Sequence, residues 1–210
     1  VDINYKTKTY RIIELDGNRY YGKDGHKGRK SGYIFDGFPQ NYFEGKKILD
    51  LGCAAGGILF ELYKKGMSVG IGVDIDSNKM DVGIDIVKKH KINNIKFFNI
   101  DFFDNNDQFF DCIFILNLLH HLSNPYMILD FACKFCKEFI CIEMADDPWY
   151  APYPRDKKTK TIFSSPLGGK DFEKHLFNNG FECMYKKESL NQENFKGGVR
   201  YVYLFKKRIG

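Results

Sequence analysis

Between Lys46 and Met144 the chain alternates short, nearly continuous apolar runs with amphipathic stretches. Ile48 to Leu51, Val69 to Ile75, Ile95 to Ile100, Asp111 to Asn117 and Phe139 to Met144 read as strands buried on both faces, the pattern of a parallel sheet. Between them, Ile58 to Lys65 reads as a helix, and a second helix beginning near Ser77 carries Met80, Ile84 and Val87 at helical spacing. A third, Tyr126 to Cys136, places Ile128, Leu129, Ala132 and Cys136 on one face. Strands alternating with helices predict an α/β domain. Beyond Pro166, Gly168 to Gly180 reads as a helix with Phe172, Leu176 and Phe177 inward and Gly180 as its stop. Two strands follow, Phe181 to Ser189 and Val199 to Phe205, and the Asn191 to Gly198 turn between them predicts antiparallel pairing. Ahead of the sheet, two alternating runs from Thr9 to Tyr21 flank Asp16-Gly17-Asn18, a β-hairpin signal.

The stretch KKILDLGCAAGGILFE, Lys46 to Glu61, organises the rest. A strand delivers Asp50 into a turn carrying Gly52, Cys53, Ala54, Gly56 and Gly57, and the turn opens a helix. Glycines there let the backbone turn sharply beside a ligand. The spacing is only roughly that of a dinucleotide fingerprint, and a carboxylate at the mouth disfavours a pyrophosphate, so the ligand is expected to be cationic or neutral at that point. The next strand ends in Asp74, followed by Ile75. An acid about 20 residues beyond such a turn accepts hydrogen bonds from ribose hydroxyls, and Asp76 is placed to cap the following helix.

With Asp50, Gly52 and Gly56 in the acidic-x-Gly-x-Gly-x-Gly positions and Ala54 at the middle glycine, the chain resembles the class I S-adenosylmethionine-dependent methyltransferases. The resemblance covers about Phe43 to Lys207. It implies a Rossmann-like, seven-stranded, mostly parallel sheet with a C-terminal antiparallel hairpin. The methyltransferase domain then runs over 43–210. The resemblance leaves unaccounted for the loop after Met144 and an N-terminal extension over 1–42, which holds the hairpin and a glycine-rich, basic stretch, Gly22 to Gly37, expected to act as a lid. The cofactor is then S-adenosylmethionine. Asp101 would take the adenine amino group with Phe102 on the ring, and Asn117 joins the cofactor set at the end of the fourth strand. Leu118 to Pro125, LLHHLSNP, resembles the motif where acceptor and methyl group meet. Asn124-Pro125-Tyr126 is out of register for an amino-methylating Asn-Pro-Pro-Tyr motif and instead reads as a helix cap. Arg29 is the expected partner of the methionine carboxylate, because a guanidinium matches a carboxylate bidentately.

Composition adds little. The 210 residues suit one ordinary domain, and no stretch is apolar over a membrane-spanning length. The N-terminus lacks the apolar core of a signal peptide, so a soluble, cytoplasmic protein is expected. Six cysteines, mostly inside predicted elements, are expected to be reduced, without disulfides. Cys133 and Cys136 form a C-x-x-C pair without a matching second pair, which favours packing over metal. The net charge of +5, spread over lysines, permits an RNA partner without requiring one, and nothing fixes the oligomeric state.

A sulfonium methyl group is already electrophilic, so alignment and water exclusion are the main demands. For an acceptor with a proton to lose, His120 is the candidate base and Glu143 a weaker one. Trp149, Tyr150 and Tyr153 in the Pro-rich loop after Met144 are placed to stack a planar acceptor. The acceptor is expected to be a small molecule or nucleoside-like group. A transfer RNA wobble base, gripped by Arg155 to Lys160, and a non-catalytic cofactor-binding subunit are the alternatives.

Overall fold

A computed structural model of the chain describes residues 1–23, 31–99, 103, 107–145, 169–190 and 199–209. Its centre is a seven-stranded sheet built from β4 (Lys47–Leu51), β5 (Val69–Val73), β6 (Ile95–Phe98), β7 (Phe110–Leu116), β8 (Cys136–Ala145), β9 (Phe181–Glu188) and β10 (Arg200–Lys207). They lie in the order β6-β5-β4-β7-β8-β10-β9, parallel except for β10, which runs antiparallel to both β8 and β9. Strand β4 is therefore interior, and the order reverses direction beside it, where open α/β sheets bind ligands.

Alternate residues of the central strands feed two cores. Ile48, Cys112, Phe114, Phe139 and Cys141 face helices α1 (Gly57–Lys64) and α2 (Ser77–Lys89). Leu49, Leu51, Ile113, Ile115, Ile140 and Ile142 face α3 (Pro125–Phe135) and α4 (Gly169–Asn178). The near-continuous hydrophobicity of β4 and β7 follows from having a core on each side. Asp76 caps α2, its side chain accepting from the Lys79 backbone N–H at 3.4 Å. Gly180, with φ +87, follows α4 and turns the chain into β9.

The hairpin forms, shorter than its signal: β2 (Ile13–Leu15) and β3 (Asn18–Tyr21) pair around Asp16 and Gly17, both left-handed as such a turn requires. A third strand, β1 (Asp2–Asn4), pairs parallel with β3. This small sheet is not a loose appendage. Ile13, Leu15, Tyr20, Tyr33 and Ile34 share one core with Ile48 and Phe114. The extension is further pinned to α2, Tyr20 and Asp16 both reaching the His90 ring, at 2.6 and 2.8 Å.

Several boundaries differ from the sequence pattern, the second strand for example ending at Val73 rather than Ile75. Helix α3 stops at Phe135, and Cys136, in period with Ala132, instead starts β8 in extended conformation. Pairing with Phe110 across the sheet replaces the last helical turn, and both arrangements bury the thiol. The third strand ends at Phe98 rather than Ile100, which lies outside the described residues. Among the described residues all six cysteines are free thiols, and no helix is long and apolar enough to cross a membrane.

Candidate functional site

A cavity of about 630 Å³ opens at the carboxyl ends of β4, β5 and β7, within the usual size range of small-molecule sites. Its floor is the turn after β4. Gly52, Ala54 and Gly56 all take left-handed backbone, with φ of +76, +50 and +76, so the chain folds back at every second residue. Gly56 has a further reason to be glycine, since a Cβ there would stand 2.6 Å from the Phe97 ring. The Gly52 and Cys53 N–H groups donate to the Val73 carbonyl, at 2.8 and 3.1 Å, which ties the turn to β5.

Asp74 sits just past β5 on the cavity wall, held by two backbone donors. The Ala54 N–H reaches Oδ2 at 2.8 Å and the Asp76 N–H reaches Oδ1 at 2.9 Å. Each oxygen keeps further acceptor capacity, in fixed orientation, suited to a pair of hydroxyls. Beside it Ile75, 75% exposed, gives the wall an apolar face.

Towards β7 the wall becomes charged and buried. Asp50 is 3% exposed, and burial pushes its carboxyl up to about 7, with Arg11 opposing the shift and Asp74 adding to it. Arg11, itself 7% exposed, comes from the N-terminal extension and lies 3.8 Å from the Glu143 carboxylate. Asn117 ends β7 in left-handed conformation, φ +56, with its N–H on the Glu143 carbonyl at 2.9 Å. Its Nδ2 donates to Glu143 Oε2 at 2.5 Å, while its Oδ1 is buried without a hydrogen-bond partner among the described residues. A buried orphaned acceptor, in a residue that lines a cavity, calls for a donor.

The structure thus brings Asp50, Gly52, Cys53, Ala54, Asp74, Ile75, Asn117 and His120 together around one cavity, with Gly56 shaping its turn. Glu143 is not on the wall; it is 1% exposed and lies behind Arg11 and Asn117. Tyr33 is buried and donates to Glu143 Oε1 at 2.6 Å. Arg29, Asp101, Phe102, Trp149 and Tyr150, with Tyr153 and the Arg155 to Lys160 stretch, lie outside the described residues.

Thr9, Tyr10 and Arg11, which no sequence motif singles out, reach the cavity from the extension. The available signal was Arg11 directly before the apolar pair Ile12-Ile13, an arginine where an alternating hairpin needs none. Nor does a motif single out Lys79, which pairs with Asp76 at 2.8 Å and lies over the Tyr10 ring at 5.1 Å. The remaining wall, Phe103, Leu118, Leu122 and Ile128 around His120 and His121, is mostly apolar. The two imidazole rings are 4.0 Å apart.

Comparison with known proteins bears on this geometry. A family model described as "Methyltransferase domain" matches residues 43–193. The mitochondrial ubiquinone biosynthesis O-methyltransferase of Dictyostelium discoideum is 27% identical over 109 residues, 45% of this chain and 33% of that protein. The chain therefore spans about a third of the length of that relative. Among solved structures, an S-adenosylmethionine-dependent methyltransferase of Methanosarcina mazei superposes with a TM-score of 0.65 at 16% identity, over 87% of this chain and all of the other. Magnesium protoporphyrin IX methyltransferase of Synechocystis PCC 6803, crystallised with bound S-adenosylmethionine, gives 0.63 at 14% identity, over 83% and 76%. At these identities the structural likeness speaks for the fold alone.

Proposed function

Because the chain belongs to the methyltransferase-domain family, we propose that it transfers a methyl group from S-adenosylmethionine to a hydroxyl of a small molecule with an apolar body. The observation that carries the cofactor reading is Asp74, locked by two backbone donors at the end of β5, in a cavity that Asn117, with its buried orphaned Oδ1, also lines. In the sheet order, β5 and β7 lie on either side of β4. A ligand with ribose at one end and an amino acid at the other spans the turn between them.

Each residue then has a task. Asp74 accepts the ribose hydroxyls and Ile75 lies against the base. Arg11 meets the carboxylate, and Asn117 Oδ1 with Asp50 accepts from the ammonium. When bound, S-adenosylmethionine supplies an electrophilic methyl group that the acceptor's lone pair takes as the carbon–sulfur bond breaks, leaving S-adenosylhomocysteine. Leu118, Leu122, Ile128 and Phe103 hold an apolar acceptor and exclude water. His120 accepts the proton that a hydroxyl must lose.

A small-molecule acceptor is supported by this apolar wall, and by the pairing of both its basic side chains with acids, Arg11 with Glu143 and Lys79 with Asp76. The O-methyltransferase relative supports oxygen as the acceptor atom. The test is a methyl-transfer assay with labelled cofactor against separate pools of phenolic metabolites, RNA and protein. Labelling of the phenolic pool is expected. Replacing His120 by Gln should lower kcat by about a hundredfold or more and remove its lower pH limb. Labelling confined to RNA would reject this acceptor, and failure to bind S-adenosylhomocysteine would reject the cofactor.

A further inference from the structure

Glu143 touches no part of the cavity, yet two polar side chains of the wall end on it. Its side chain is fully buried, in the sheet face that Arg11 and Tyr33 cover. Tyr33 and Ser189 donate to Oε1, at 2.6 and 2.5 Å. The Asn117 amide donates to Oε2, and the Arg11 guanidinium lies 3.8 Å from the same oxygen. The partners come from two places in the extension, Arg11 and the 3₁₀ turn Gly32–Phe35, and from the end of β7 and the residue after β9.

We propose that Glu143 is a positioning residue that sets the donor and acceptor pattern of the cavity wall for the amino-acid end of the cofactor. This rests on the cofactor reading above. An ion-paired carboxylate only accepts hydrogen bonds, so the Asn117 amide must turn its NH₂ toward Glu143. Its Oδ1 is thereby left over, buried and without a partner among the described residues, in a residue that lines the cavity. The opposite rotamer would offer a donor to an ammonium group, which also only donates. The Glu143 carbonyl takes the Asn117 N–H as well, so one residue holds both ends of Asn117 in a left-handed conformation that costs about 1 kcal/mol. Through the other contact it keeps a guanidinium beside the same cavity. One buried carboxylate thus orders an acceptor for the ammonium and a cation for the carboxylate of a zwitterion.

The test compares S-adenosylhomocysteine with 5′-methylthioadenosine, which lacks the amino-acid end, by calorimetry on the full chain. Glu143→Gln loses the charge beside Arg11 in either amide orientation, and sets an NH₂ against either the Asn117 donor or the Tyr33 and Ser189 hydroxyls. Affinity for S-adenosylhomocysteine should fall about tenfold or more, with methylthioadenosine within about twofold of the parent. Asn117→Asp, which sets carboxylate against carboxylate, should behave alike. Combining the two should restore most of the S-adenosylhomocysteine affinity, because the new amide donates to the new carboxylate and an acceptor again remains for the ligand. Ser189→Ala, which removes a donor to Oε1 and a contact with the Tyr33 hydroxyl but neither of the Oε2 partners, Asn117 and Arg11, should leave the ratio of the two affinities unchanged. If Glu143→Gln does not fold, Asn117→Asp and the double variant decide. Equal weakening of both ligands, or no recovery in the double variant, overturns the inference while leaving the cofactor reading standing. A parent protein that binds neither ligand overturns both.

Discussion

The side chain of Arg11 rests on the bare backbone of Gly57: a Cβ added at Gly57 would stand 2.8 Å from the Cβ of Arg11. The first residue of α1 is thus small because an arginine from the N-terminal extension lies across it. The extension therefore helps to build the cavity.

Gly57→Ala should separate these roles. Alanine is the better helix former by about 1 kcal/mol, so the helix itself gains. Arg11 must shift, and affinity for S-adenosylhomocysteine should fall several-fold while methylthioadenosine binding holds. Calorimetry with both ligands, beside a thermal melt, checks this; unchanged S-adenosylhomocysteine affinity would remove Arg11 from the carboxylate.

Asp74→Asn should weaken both ligands alike, since both carry the ribose. The loss of hydrogen bonds to a charged group should cost about 1.5–3 kcal/mol. The amide nitrogen would also face one of two backbone donors, Ala54 or Asp76, so some stability should go with it. Equal affinities in parent and variant would contradict the ribose assignment.

Asp50 should make binding depend on pH. Its carboxyl, ordinarily at 3.8, is raised to about 7 chiefly by burial. The folded state then holds a proton that the unfolded chain releases, so the Asp50 contribution to stability is complete below the unfolded value and is lost as pH rises through about 7. A cationic ligand favours the ionised carboxylate, so S-adenosylmethionine binding should release a proton and tighten between about pH 6 and pH 8. Titration in buffers of different ionisation enthalpy measures the proton, and Asp50→Asn should abolish it.

The turn gives opposed stability effects. Gly56→Ala meets both a left-handed φ and the Phe97 ring at 2.6 Å, and should cost about 1–3 kcal/mol. Ala54→Gly relieves a left-handed alanine at φ +50, against a greater loss of unfolded-state freedom, and should lie between neutral and about 1 kcal/mol stabilising. Denaturant midpoints at a fixed slope distinguish the two.

Strand and helix periodicity by itself determined the α/β class, because burying both faces of a sheet demands long apolar runs and a helix between them, and the turn between the last two strands gave their antiparallel pairing. The glycine turn and Asp74 were equally legible. Their chemistry is local: close backbone approach, left-handed φ, and a carboxylate one strand away. Arg11, Glu143 and the orientation of the Asn117 amide were decided only by the tertiary structure. Arg11 and Glu143 are separated by most of the chain and meet because the extension packs on the sheet face that carries Asp50 and Glu143. A charge buried by a distant partner leaves no periodic trace in the sequence. Its place follows from the requirement that a carboxylate removed from water find donors, and only the folded chain shows which donors those are.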